Sequence, residues 1–161
     1  RNRAIPLGPG IAWRVRLDTS PERFTDVWQG PCEQQPAWSH GDVVIRDRHG
    51  NWTYQFAVVV DDWQQDVNLV IRGEDLLPST GVQMALGRVL GRREPPTYAH
   101  HRLVMKSPTQ KLSKSDGDSG VRDLRRAGWS APRVLGEAAW RAGLAPPNTE
   151  LETADVARLF R

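Results

Sequence analysis

From Ile11 to Leu17 the large apolar residues Ile11, Trp13, Val15 and Leu17 alternate with Ala12, Arg14 and Arg16. That period of two predicts a half-buried strand, and the run Arg23 to Gln29 is a candidate partner for it. Pro31 to Gly41, with Pro, Gln and Ser, reads as a loop, and Asp42 to Arg46 as a further short strand. The turn residues Asp47 to Asn51 then lead into Trp52, Tyr54, Phe56, Val58 and Val60, which share one face of an extended chain. This is the pattern of a β-hairpin with a loop of several residues. Ala57 and Val59 make the other face apolar too, so the end of that arm is expected to be buried on both sides.

After Asp61 and Asp62 the pattern changes. Asn68 to Arg72 predicts a short apolar strand, and Thr80 with Gln83 reads as a capping box opening a helix. Val82, Leu86, Val89 and Leu90 fall at helical spacing and Gly91 supplies the stop. Pro95 and Pro96 break the chain before a strand from His100 to Met105. Strand, helix, strand is the unit of a parallel sheet with a right-handed crossover. One such unit cannot cover both faces of a sheet, so further strands from upstream are expected, and an uncovered edge would make the isolated chain prone to dimerise or precipitate. Beyond the polar loop Lys106 to Gly120 the periodicity is helical: Val121 to Ala127, a longer helix opened by Ser130 and Pro132 and closed by Gly143, and a short one from Thr153 to Phe160.

A chain of 161 residues suffices for one domain with an appendage. No stretch approaches the ~20 apolar residues of a membrane-spanning helix. The single cysteine, Cys32, excludes an internal disulfide or a multi-cysteine zinc site and fits a reducing cytoplasm. The four histidines lack metal-ligand spacing, and the adjacent pair His100 and His101 should point to opposite faces of its strand. Twenty-two basic against 19 acidic residues give a formal charge of +3, which attracts a polyanion only mildly. The chain begins at Arg1 without a signal-peptide pattern, so its start reads as a cut.

The chemistry is concentrated in Lys111-Leu112-Ser113-Lys114-Ser115. Flexible ammonium groups in a loop can neutralise the charge that builds on pyrophosphate when a carboxylate attacks the α-phosphate of ATP. This stretch resembles the KMSKS signature of class I aminoacyl-tRNA synthetases. Tyr54 to Asp62, then Val70-Ile71-Arg72-Gly73-Glu74-Asp75, then Tyr98-Ala99-His100-His101 resemble, in order, segments of the glutamyl family. Together they cover roughly Asp42 to Gly143. Arg23-Phe24-Thr25-Asp26 with Gln29-Gly30-Pro31 looks like the glutamyl-Q branch, which acts on tRNA(Asp).

The resemblance implies an α/β fold: the C-terminal half of a Rossmann-type catalytic domain, preceded by a β-hairpin region and followed by a helical tail. The expected division is 1–66 as a β-rich connecting region, 67–118 as the second half of the catalytic domain, and 119–161 as a helical appendage. It further implies that Tyr54 and Arg72 contact glutamate, that Lys114 is catalytic with Lys111 assisting, and that Lys111, Ser113, Lys114 and Ser115 bind ATP. Mg²⁺ would accompany the ATP phosphates, and no structural zinc is expected within these residues. The partners implied are L-glutamate, ATP, tRNA(Asp) and the histidine-motif half of the domain, which has no counterpart in these residues. Without it the chain alone is expected to be inactive. Two other readings stand beside this one: a fragment of an ordinary glutamyl-tRNA synthetase, and a synthetase-like binding module that does not catalyse.

Overall fold

The computed structural model describes residues 8–107, 109–112 and 120–160. Two short strands, β1 (Trp13–Val15) and β4 (Val43–Arg46), pair antiparallel. Between them in sequence lie β2 (Glu22–Asp26), β3 (Gly30–Gln34) and a one-turn helix α1 (Pro36–Ser39). The expected pairing of the first two strands is therefore corrected, because β2 pairs instead with β3, through the left-handed Gly30 at φ 79°. The stretch read as a loop from Pro31 to Gly41 holds the rest of that hairpin and α1.

The larger correction concerns Trp52 to Val60. This run forms the helix α2 (Tyr54–Gln64), and all that remains of the expected hairpin is one antiparallel bridge between Arg46 and Trp52. The residues fit both periods, since Phe56, Val59, Val60 and Trp63 also recur at helical spacing. Tertiary packing decides between them. Val59 is buried in an aliphatic cluster with Leu17, Val43, Val82, Ala85 and Leu86, and Val58 packs against it. Thr53, just ahead of the helix, donates its hydroxyl to Val44 O at 2.8 Å, which holds the chain against β4 as it turns.

The expected strand-helix-strand order forms, but its second strand is corrected: it begins at Thr97, directly after Pro95 and Pro96, and ends at His101, while Met105 belongs to a separate hairpin. Strand β5 (Leu69–Gly73) leads through a 3₁₀ turn (Glu74–Ser79) into α3 (Thr80–Leu90) and back along β6 (Thr97–His101). Gly91 closes α3 at φ 98°, in the left-handed region where a side chain is disfavoured. The four-stranded order is β3-β2-β6-β5, with β2, β6 and β5 mutually parallel. β3 and β5 are the two edges of this sheet, and on β5 Ile71 is 59% exposed on the face away from α3.

The chain divides into two compact units between His101 and Arg102. The second contains the hairpin β7 (Met105–Ser107) and β8 (Gln110–Lys111), followed by α4 (Val121–Arg126), α5 (Ala131–Arg141), α6 (Thr153–Val156) and a 3₁₀ turn (Ala157–Phe160). Ser130 caps α5 by accepting the Arg133 N–H at 3.3 Å, as its position predicts. Gly136 is obligatory there, because a Cβ would lie 1.6 Å from the Thr149 carbonyl oxygen.

Candidate active site

The register between β5 and β6 sets Arg72 beside His100, and adjacent pairing places both near the carboxyl ends of parallel strands. Asp26 ends β2, the next parallel strand, and so joins them at the same end of the sheet. Open α/β sheets bind ligands at this edge. From above, the first turn of α3 lowers Thr80 and Gln83, three residues apart and on one helix face.

These five side chains form a continuous buried network. The Arg72 guanidinium donates through Nε to His100 Nε2 at 2.9 Å, through Nη1 to Gln83 Oε1 at 2.7 Å, and through Nη2 to Thr80 Oγ1 at 2.9 Å. Its carbon lies 5.3 Å from the centre of the Tyr98 ring, whose face attracts the cation. His100, fully buried, turns its other nitrogen to Asp26 Oδ2 at 2.6 Å. Gln83 continues the chain outward by donating to Gln55 Oε1 at 2.8 Å, and Gln55 donates to Ser79 Oγ at 2.9 Å.

Burial pushes the Asp26 carboxyl upward. The bond from His100 and the backbone N–H groups of Gln29, His100 and Trp28 outweigh it, so the group is held below the usual carboxylate range. Asp26 is thus an ionised anchor inside the fold.

Arg72 is the unusual member. It is only 9% exposed, yet its three hydrogen-bond acceptors are a neutral amide, a hydroxyl and an imidazole nitrogen. Among the described residues no carboxylate makes an ion pair with it, and the nearest in the network, Asp26, is one imidazole away. A guanidinium carries five N–H donors, so one on each terminal nitrogen is left over. A buried cation with two spare donors has the chemistry to take a carboxylate or phosphate, which would supply both the charge and the acceptors.

The other expected site residues are placed differently. Tyr54 is the first residue of α2, is 55% exposed, and is not among the hydrogen-bond partners of Arg72; its neighbour Gln55 is the residue that reaches the network. Ser113, Lys114 and Ser115 lie outside the described residues, and of Lys111 only the backbone, in β8, is described. Thr80 and Gln83 do not form the expected capping box, since α3 is capped at Ser79 without a side-chain bond and both side chains turn to Arg72. The expectation for the histidine pair holds, with His100 buried and His101 exposed.

A cleft of about 510 Å³ lies beside the network, lined by Gln83, Tyr98, Asp62 and Arg92 among others, but not by Arg72. Burial raises the pKa of Asp62 against the opposing charges of Arg92 and Arg72, and burial likewise raises that of the Tyr98 phenol. Pro95 and Pro96 put this cleft at the start of β6, away from the carboxyl ends of the strands.

Sequence reasoning does not single out Asp26, His100, Thr80 or Gln83 as site residues. A signal for them is nevertheless present: polar side chains at i and i+3 where the pattern calls for a buried face, and a histidine within an apolar strand.

Residues 8–154 match the family described as "tRNA synthetases class I (E and Q), catalytic domain". The chain is 47% identical over 115 residues to a glutamyl-Q tRNA(Asp) synthetase of Bordetella bronchiseptica, covering 70% of this chain and 36% of that protein. With the glutamyl-Q tRNA(Asp) synthetase of Geobacter sulfurreducens the figures are 41% over 167 residues, 99% of this chain and 50% of that protein. Among solved structures, a glutamate tRNA ligase from Elizabethkingia meningosepticum in complex with its amino acid is similar, with a TM-score of 0.56 and 28% identity. That match covers 72% of this chain and 22% of the other. The chain therefore spans half or less of the length of these relatives.

Proposed function

The chain belongs to the class I tRNA synthetase family for glutamate and glutamine, within its catalytic domain, and on that premise we propose that it forms one wall of a site that activates glutamate with ATP and passes it to RNA. The observation that carries this reading is the buried Arg72 guanidinium, held by neutral partners and left with one spare N–H on each terminal nitrogen.

The assignment of the two substrate carboxylates follows from their chemistry. The α-carboxylate must attack, so it cannot be held in a two-bond grip that draws off its electron density. Arg72 therefore takes the side-chain carboxylate, which distinguishes glutamate from a neutral amide. An oxygen of the α-carboxylate bonds to the α-phosphorus of ATP, the bond from that phosphorus to the bridging oxygen breaks, and pyrophosphate leaves with the electron pair. Lys114, assisted by Lys111, neutralises the leaving group, and Ser113 and Ser115 add hydroxyl donors. Tyr54 borders the amino-acid side of the pocket. Mg²⁺ would travel on the ATP phosphates, which need no all-protein cage to hold it.

The finer reading is that the acceptor is the queuosine base of tRNA(Asp). It is supported by the names of the glutamyl-Q relatives and by the Arg23 to Asp26 segment, which ends in the buried Asp26.

The test is glutamate-dependent ATP–pyrophosphate exchange by these 161 residues and by the same residues joined to the adjacent upstream reading frame. Activity in the longer polypeptide alone, lowered on the order of 100-fold by Lys114→Ala, is the expected result. Silence in both would favour a synthetase-like module that binds without catalysing. Transfer of labelled glutamate to tRNA(Asp) carrying queuosine, but not to the unmodified tRNA, tests the acceptor.

A further inference from the structure

Arg72 can grip a carboxylate only if its fork is held in one orientation, and the structure shows what holds it from below. We propose that Asp26 and His100 are positioning residues that fix Arg72 by locking the imidazole in one tautomer; this deepens, and rests on, the reading of Arg72 as the receptor for the glutamate side chain.

The hydrogen bonds around Asp26 determine where the imidazole proton sits. Asp26 Oδ1 is occupied by three backbone N–H groups, those of Trp28 at 3.0 Å, Gln29 at 3.0 Å and His100 at 3.2 Å. Its remaining oxygen, Oδ2, faces His100 Nδ1 at 2.6 Å. An ionised carboxylate only accepts, so Nδ1 must carry the proton. In the neutral ring Nε2 is then a bare lone pair, directed at the Arg72 Nε–H at 2.9 Å and also within 3.3 Å of the Thr80 hydroxyl. The opposite tautomer would set N–H against N–H at this point, and a doubly protonated ring would add a second cation beside the first.

The ring is held at its backbone as well, where the Gln29 side chain donates to the His100 carbonyl at 3.0 Å. With Nε pinned by the imidazole and the two terminal nitrogens by Thr80 and Gln83, the guanidinium plane is fixed at three points. Fixed placement of a binding group removes an ordering cost at each substrate encounter. A carboxylate that sets a histidine tautomer from behind is a known device for orienting the ring in front.

The test is Asp26→Asn in the polypeptide that includes the upstream reading frame. The carbonyl oxygen of the substituted side chain can keep the three backbone N–H bonds, but its amide nitrogen donates where Oδ2 accepted, which drives the imidazole proton to Nε2 and against Arg72. Expected is a rise of about ten-fold or more in KM for glutamate, the loss appropriate to a hydrogen bond on a charged group, with KM for ATP unchanged. His100→Gln, whose amide can accept from Arg72 and donate to Asp26, should fall between the wild type and Asp26→Asn.

Nitrogen-15 NMR reads the device independently of activity. The wild type should show His100 protonated at Nδ1 and a coupling across the hydrogen bond from Arg72 Nε to His100 Nε2, and Asp26→Asn should move the proton and abolish the coupling. A folded Asp26→Asn with unchanged KM for glutamate, or a wild-type His100 protonated at Nε2, overturns the proposal. If the wild type lacks glutamate-dependent exchange but shows the tautomer and its coupling, the glutamate reading fails while the lock on Arg72 stands.

Discussion

Val82, Ala85 and Leu86 on one side of α3 and Thr80 and Gln83 on another are equally withdrawn from water, yet they meet opposite surroundings. The first three pack into aliphatic side chains from β4 and α2. The other two meet an arginine, and through it a histidine and a carboxylate. Aliphatic packing has stability as its whole purpose, and many residues of similar volume serve it. The polar side is costly to bury and is tolerated because every buried side-chain nitrogen and oxygen among the described residues has at least one partner, with only the second N–H on each terminal nitrogen of Arg72 left over. A fold that needed only a core could have continued the aliphatic layer, and the proposed function gives the polar side its reason: it holds Arg72 for a substrate carboxylate.

Substitutions should separate the two sides. Leu86→Ala, at 1% exposure, is expected to cost about 2–5 kcal/mol of unfolding free energy. Measured by denaturant titration, that loss should leave KM for glutamate unchanged in the protein that remains folded. Gln83→Leu keeps the volume but strands one Arg72 N–H, so it should cost about 1–3 kcal/mol and also raise KM for glutamate. Gln55→Leu, one step further out, should cost about 1 kcal/mol or less with little effect on KM. Equal KM effects from Leu86→Ala and Gln83→Leu would erase the distinction between the two sides.

A smaller effect concerns pH. The folded pKa of Asp26 lies below its unfolded value, so its contribution to stability is fully present above about pH 4 and is lost as the pH falls through the folded value. Unfolding free energies measured from about pH 5 to about pH 3 should therefore fall less steeply in Asp26→Asn than in the wild type.

The same contrast separates what is legible in the sequence from what is not. β5 and α3 are legible because their apolar positions recur regularly and Gly73 and Gly91 mark their ends, whereas β6 is displaced from the expected His100 to Met105 because Thr97 to His101 is not a clean apolar run. α2 reads as a strand because Phe56 to Val60 is apolar at every position, and local pattern cannot then choose the period. Arg72 is legible from its place in an ordered set of motifs. Its partners are less so: Thr80 and Gln83 have the spacing of a helix cap, and Asp26 lies 74 residues from His100, a pairing that only the parallel sheet creates. Residues brought together by topology leave at most a weak local signal, a polar pair on a buried helix face or a histidine in a strand, whereas a lysine loop is a contiguous motif.

The most direct measurement of the central claim is KM for glutamate in Arg72→Lys, determined by ATP–pyrophosphate exchange in the polypeptide that includes the upstream reading frame. Lysine keeps the positive charge but lacks the planar fork that three neighbours hold and two spare donors complete. KM for glutamate should rise on the order of 100-fold with KM for ATP unchanged; an unaltered KM for glutamate would show that the buried arginine is not the receptor for the substrate carboxylate.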